Sequence, residues 1–295
     1  MEIFTIHHTM NKGKQIKIRF FDPNEIPDGS VCVFIGKRKS GKSSAIRDLM
    51  WHKKNIPIGQ IISGSERANP FFKNFFPSTY IDDEYTQEVI DNILKRQNKI
   101  KEFAHQQAEQ RKRPVDPRFL LVFDDCLHDN KWQNTRQIKS IFMNGRHFSI
   151  FFILSLQYVM GIPPNLRTNI DYIFMFRETS FQNRRKLYDN FGGAIPTFHL
   201  FCSLMDCLGK YECLVICQDC DKIKFEDQVM YWKASLRDDF HFGSPVFWQQ
   251  HEKLKKWHQQ VGPLAQQNQL FEELRNKQPK NIKILKMNKK NKKKE

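Results

Sequence analysis

Long apolar runs are missing from this chain of 295 residues, and none approaches the roughly 18 consecutive apolar residues that a membrane span requires. No transmembrane segment is therefore expected. The opening stretch, "MEIFTIHHTMNKGKQ", lacks a basic region followed by an apolar core, which argues against a secretory signal. The expected setting is intracellular, where the seven cysteines stay reduced. Those cysteines also lack metal-site spacing. "CQDC" supplies one C-x-x-C with no second clean pair, and Cys213 and Cys217 share one side of an apparent strand, so core cysteines are the better reading than zinc. His7, His8 and His147 show no helical ligand spacing. Acidic residues are scarce as well: 32 Asp and Glu against 48 Lys and Arg leave a net charge of +16. That balance points to a polyanionic partner, nucleic acid before membrane, although a solvated basic surface explains it too. Residues 276–295 hold nine lysines and one glutamate, so half of the net charge sits in a tail with no apolar periodicity, expected to be disordered without nucleic acid.

Hydrophobic residues make up 40 % of the chain, enough for a sizeable core. "KQIKIRFFD" alternates like a strand, and "SVCVFIG" is a short β-branched run ending in glycine. "KSSAIRDLMWHKK" has helical periodicity and "IPIGQIISGS" reads as the next strand. Residues 82–113 read as one long polar helix ended by Pro114 and Pro117. Further strands are read in "RFLLVFDD", "FSIFFILSLQ", "IDYIFMFRE", "YECLVICQ" and "DQVMYWKA", with helices in "NTRQIKSIFMNGR" and "SFQNRRKLYDNFGG". Such alternation predicts an α/β fold with a mostly parallel, covered sheet. Ser244-Pro245 opens a late helix, in which Trp248 and Trp257 are read as packing residues rather than base-stacking ones. No internal repeat is present.

Gly36, Lys37, Arg38, Lys39, Ser40, Gly41, Lys42 and Ser43 spell G-x(4)-G-K-[ST] between a strand and a helix. Its glycines let successive backbone N–H groups turn inward, and the helix N-terminus adds its positive end. In this context a nucleoside triphosphate is the expected ligand. Lys42 would reach the β- and γ-phosphates, Ser43 would ligate Mg²⁺, and Ser44 could touch an outer phosphate oxygen. "FLLVFDD" places Asp124 and Asp125 at a strand exit. Asp124 suits the Mg²⁺-side acid, and Asp125 suits the group that polarises the attacking water. A turn or helix cap is the plainer reading of the pair. "FFILSLQ" ends in Ser155 and Gln157, and Gln157 is a candidate γ-phosphate sensor or a strand-end hydrogen bonder. The pattern implies an extra strand between the loop strand and the acid strand, and "IPIGQIISGS" is the segment expected to fill that place. A guanine reader N-K-x-D is lacking, because Gln133 stands where its Asp belongs, so ATP is preferred to GTP. Arg146 and Arg167 are candidates for completing a neighbouring subunit's site, with a plain surface or structural role for either as the alternative.

The order of blocks resembles the genome-packaging ATPases of large nucleocytoplasmic DNA viruses, the poxvirus-type branch of the FtsK–HerA superfamily. "GKRKSGKSS", "GSERANPFFKNFFPSTYIDDEY", "LLVFDDC", "NGRHFSIFFILSLQYVMGIPPNLRTNIDYIFMFRE" and "DQVMYWKA" carry the resemblance over roughly residues 30–235. It implies a RecA-like P-loop domain, placed over 1–240 with lead-in strands in 1–29, while the helical extension expected over 241–275 and the lysine-rich tail at 276–295 lie outside the resemblance. It further implies ATP and Mg²⁺ as cofactors and Lys42, Ser43, Asp124, Asp125 and Gln157 as functional positions. A homo-oligomeric motor that drives double-stranded DNA into preformed capsids is the function implied. Capsid or inner-membrane virion proteins would be its partners, and host cytoplasm at assembly sites its location. A chromosome-partition or conjugation pump of the same superfamily is the nearer alternative. A nucleotide-binding structural subunit without turnover is the more distant one.

Overall fold

A computed structural model describes residues 3–7, 15–126, 130–157, 162–218, 221 and 224–259. Ten strands form one sheet: β1 (Ile3–His7), β2 (Gln15–Phe20), β3 (Val31–Ile35), β4 (Gly59–Ser63), β5 (Ile81–Asp82), β6 (Phe119–Asp124), β7 (Ile150–Leu156), β8 (Tyr172–Phe176), β9 (Glu212–Cys217) and β10 (Val229–Lys233). Across the sheet the order is β1-β2-β10-β9-β8-β3-β7-β6-β4-β5. From β8 to β5 every pairing is parallel, while β9 joins β8 and β10 antiparallel. The expected α/β, mostly parallel architecture is what the chain adopts.

Strand alternation divides the core between the two sheet faces. Val31, Val33 and Ile35 of β3 enter one cluster, whereas Cys32 and Phe34 enter the other. Helix α1 (Lys42–His52) covers the second face with Ala45, Ile46, Leu49 and Met50, joined by Phe72, Phe75 and Phe76. The first face carries α2 (Gln87–Glu109), α3 (Arg136–Asn144), α5 (Phe181–Phe191) and α6 (Phe198–Cys207). Short turns α4 (Pro164–Arg167) and α7 (Phe225–Gln228) complete the described helices up to residue 244. Covering both faces is what allows the parallel strands to be almost wholly apolar.

Two readings are corrected. The strand lying between β3 and β6 is β7, not "IPIGQIISGS". β4 instead pairs with the far edge of β6, Gly59 opposite Leu120. Chain order places β4 between the two motif strands, but the connection through α1 carries it past the positions of both β7 and β6. The long helix is also shorter than its polar pattern predicts. Ile81–Asp82 is a strand, and α2 starts after Thr86, whose side chain caps the N–H of Val89. Among the late-helix tryptophans, Trp248 donates to the carbonyl of Phe242 at 2.9 Å, whereas Trp257 is exposed. Contacts divide the chain into compact units of residues 1–251 and 252–295. The lysine-rich tail lies outside the described residues.

Candidate functional site

All the parallel strands from β8 to β4 end at one edge of the sheet, and the loop 36–41 leaves β3 there. Gly41, at φ +106, caps α1 in a conformation only glycine adopts without strain, and a Cβ there would lie 2.8 Å from the Tyr211 ring. A Cβ on Gly36 would come within 2.7 Å of Phe176 Cβ. The loop is thus wedged between β8 and the turn before β9. Lys42 donates to the carbonyls of Gly36 at 2.6 Å and Lys37 at 3.1 Å, so its ammonium is held inside the loop. Burial lowers its pKa, and the nearby Asp125 and Asp124 carboxylates oppose the shift. Lys37 turns away to Glu178, at 2.6 Å, and to Thr179. Arg38 and Lys39 are exposed, and Ser43 and Ser44 occupy the first turn of α1.

Asp124 ends β6 and is buried, with Ser155 of β7 and Ser63 of β4 as its register neighbours. Desolvation pushes its pKa up to about 6. Ser155 lies near enough to pull against that shift, and the Asp125 charge adds to it. Ser155 Oγ nevertheless makes no hydrogen bond of good geometry. Asp125 has a left-handed backbone, φ +47, which costs roughly 1–3 kcal/mol for a non-glycine residue. That twist turns its carboxylate to Gln157, whose Nε2 donates to Oδ2 at 2.8 Å. The loop lysine, both acids and Gln157 are therefore assembled at one sheet edge.

A metal-bound nucleotide suits these residues. Ser40 Oγ and Ser155 Oγ are buried without a partner, the loop leaves no room for a Cβ at Gly36 or Gly41, and a desolvated carboxylate stands opposite a desolvated ammonium. Ser43 and Asp124 supply the hard oxygen donors that Mg²⁺ prefers.

The arginines lie elsewhere. Arg146 precedes β7 at the opposite sheet edge, mostly exposed, paired with the Asp171 carboxylate that also accepts from Val31 N–H. Arg167 bonds the Ile162 carbonyl at 2.7 Å and Asn190, and it lies over the Phe191 ring. β7 has seven residues, so about 20 Å of strand separates Arg146 from Gln157 and Arg146 does not serve its own chain's loop. Sequence spacing gives no sign of Glu66, whose carboxylate accepts from the backbone N–H groups of Phe71, Phe72 and Lys73 and fixes the segment beside Asp124. Nor does it single out Tyr211, which abuts Gly41. Only a three-dimensional view reveals either role, since neither belongs to a spaced motif.

A strand–loop–helix anion cradle, an acid pair two strands away and a glutamine at the end of the strand between define a RecA-like P-loop ATPase. The chain belongs to the Poxvirus A32 protein family, whose model matches residues 28–185. It is 37 % identical over 246 residues to the uncharacterized protein L437 of Acanthamoeba polyphaga mimivirus, covering 83 % of this chain and 86 % of that one. It is also 37 % identical over 248 residues to the uncharacterized protein 075L of Invertebrate iridescent virus 6, covering 79 % and 93 %. Among solved structures, the genome packaging NTPase B204 from Sulfolobus turreted icosahedral virus 2, in complex with AMP, matches with a TM-score of 0.50 at 16 % identity. The match covers 73 % of this chain and all of that one, and the likeness is one of fold.

Proposed function

We propose that this protein is an ATP-hydrolysing motor that moves double-stranded viral DNA into preformed capsids. The observation that carries the reading is the Gln157–Asp125 hydrogen bond beside Asp124 and Lys42, because a site that only held nucleotide would not need an oriented second acid. Family membership and the fold of a packaging NTPase support the same reading.

Lys42 leaves the Gly36 and Lys37 carbonyls for the β- and γ-phosphates, and the loop N–H groups bind the remaining oxygens. Ser43 and Asp124 would hold Mg²⁺, which would supply charge neutralisation at the phosphates. Asp125 polarises the attacking water. Gln157 holds that carboxylate in place and, by exchanging its hydrogen bond for one to the γ-phosphate, reports nucleotide state to β7. Arg146, exposed at the far sheet edge, completes the site of the next subunit in a homo-oligomeric ring, whereas Arg167 is a structural clamp. Capsid or inner-membrane virion proteins are the docking partners, and assembly sites in host cytoplasm are the location.

The test is ATP hydrolysis with and without duplex DNA, together with native mass. Oligomers whose turnover rises with DNA support the motor. A monomer whose hydrolysis ignores DNA overturns it, and tight nucleotide binding without turnover favours the structural-subunit alternative.

A further inference from the structure

A cavity of about 420 Å³ opens between α2 and the outer strands β4 and β5. It adjoins the beginning of β4, at Ile58 and Gln60, whereas the nucleotide site adjoins the strand's end, where Ser63 stands beside Asp124. The two sites are separate.

The cavity's chemistry is unequal across its width. Arg96 reaches in from α2 with its guanidinium 5.3 Å from the centre of the Phe119 ring, and its NH1 bonds the Gln97 side chain. Among the described residues no carboxylate pairs with it. A part-buried cation stacked on an aromatic face and not paired with a carboxylate favours an anion. Opposite stands Asp82, on the same sheet face, with Oδ2 accepting from Gln60 Nε2 at 2.8 Å. Its other oxygen keeps acceptor capacity. Ile58, Val89 and Ile93 line the space between with apolar surface, and Tyr80 closes one side. Burial acts on all three titratable groups, lowering the pKa of Arg96 and raising those of Asp82 and Tyr80.

We propose that this cavity is a second ligand site, which takes a small organic anion with an apolar body and a hydrogen-bond donor. The acid sits on Arg96, the body lies on Ile58, Ile93 and Phe119, and the donor meets Asp82. One charge, one acceptor and an apolar floor in a partly enclosed space are the usual make-up of a small-molecule pocket.

Indole-3-acetate carries all three features and serves as the probe. Calorimetry on the full-length protein compares it with indole-3-acetamide, which keeps the shape and loses the charge. Wild type is expected to bind the acid at least about tenfold more tightly than the amide. Arg96→Met keeps the apolar stem and should bring acid and amide to similar weak affinity, and Asp82→Asn should weaken both. Nucleotide binding should be unchanged throughout, since neither residue touches the P-loop. No binding of the acid to wild type, equal affinity for acid and amide, or undiminished acid binding to folded Arg96→Met would each overturn the proposal. The acid–amide comparison on wild type stands even if the variants fail to fold.

Discussion

Gln157 donates its side-chain amide to the Asp125 carboxylate at 2.8 Å, and the two residues come from the ends of adjacent parallel strands, β7 and β6. A left-handed backbone at Asp125 makes the meeting possible. Strain held by a partner's hydrogen bond implies that the two act as a unit. Asp125→Asn should retain nucleotide binding and reduce kcat by about 100-fold or more, as expected for loss of a water-positioning acid. Gln157→Ala should lose less, and the double variant should be little worse than Asp125→Asn alone. Steady-state kinetics on the three variants check this, and additive losses would mean that the pair is not coupled.

Lys42 is the one loop cation drawn inside, since Lys37 is bound to Glu178 while Arg38 and Lys39 face solvent. Lys42→Ala should weaken binding of a non-hydrolysable ATP analogue by at least about 100-fold, the scale of a desolvated charge-assisted contact. It should leave the melting temperature nearly unchanged, because removing a desolvated ammonium offsets the loss of its two carbonyl hydrogen bonds. Calorimetry and thermal melts separate the two outcomes, and wild-type affinity would remove the phosphate role.

Much of this site is legible in the sequence because its parts are local. The G-x(4)-G-K-S spacing, the apolar run before Asp124-Asp125 and the polar end of β7 are each contained in a few consecutive residues. What is not legible depends on pairing between distant segments. β4 and β7 are both short apolar runs, and nothing inside either states which one neighbours β3. α6 escapes a periodicity reading because "FHLFCSLMDC" is apolar on most sides, being packed in the core through Leu200, Phe201, Leu204 and Met205. Ile81–Asp82 merges with the helix that follows because two strand residues carry no period of their own.

The arginines can be told apart. Arg146 is exposed, while Arg167 ties the Ile162 carbonyl to Asn190 and Phe191. Arg146→Ala doped into wild-type protein should lower activity more steeply than dilution, by poisoning mixed rings. Arg167→Ala should instead lower the melting temperature by a few degrees, in line with about 0.5–1.5 kcal/mol for lost part-buried hydrogen bonds. A linear fall with Arg146→Ala would leave each site completed within one chain.

A pH effect should arise behind the loop helix. Arg237 donates to His52 Nε2 at 2.9 Å and to Asp48 at 2.5 Å, and it stacks on Trp51, pinning the segment after β10 to α1. Arginine cannot accept, so the proton of His52 sits on Nδ1, facing Asn24 Oδ1 at 3.1 Å. Burial lowers the His52 pKa, helped by Arg237 and Lys53 and opposed by Asp48 and Asp22. A depressed folded pKa means stability that is complete above the ordinary histidine value of about 6.5 and is lost as pH falls through the folded value. Melting temperature should therefore drop as pH falls below about 6.5, and His52→Gln should flatten that part of the curve. An unaltered curve in the variant would show that His52 does not titrate with folding.

ATP-driven displacement of a third-strand oligonucleotide from a linear DNA duplex tests the motor most directly. Wild-type protein should release the third strand only with hydrolysable ATP and Mg²⁺, and Asp125→Asn should bind nucleotide yet release none. Release that proceeds equally with a non-hydrolysable analogue, or none by a wild-type preparation that hydrolyses ATP in the presence of the duplex, would contradict the account.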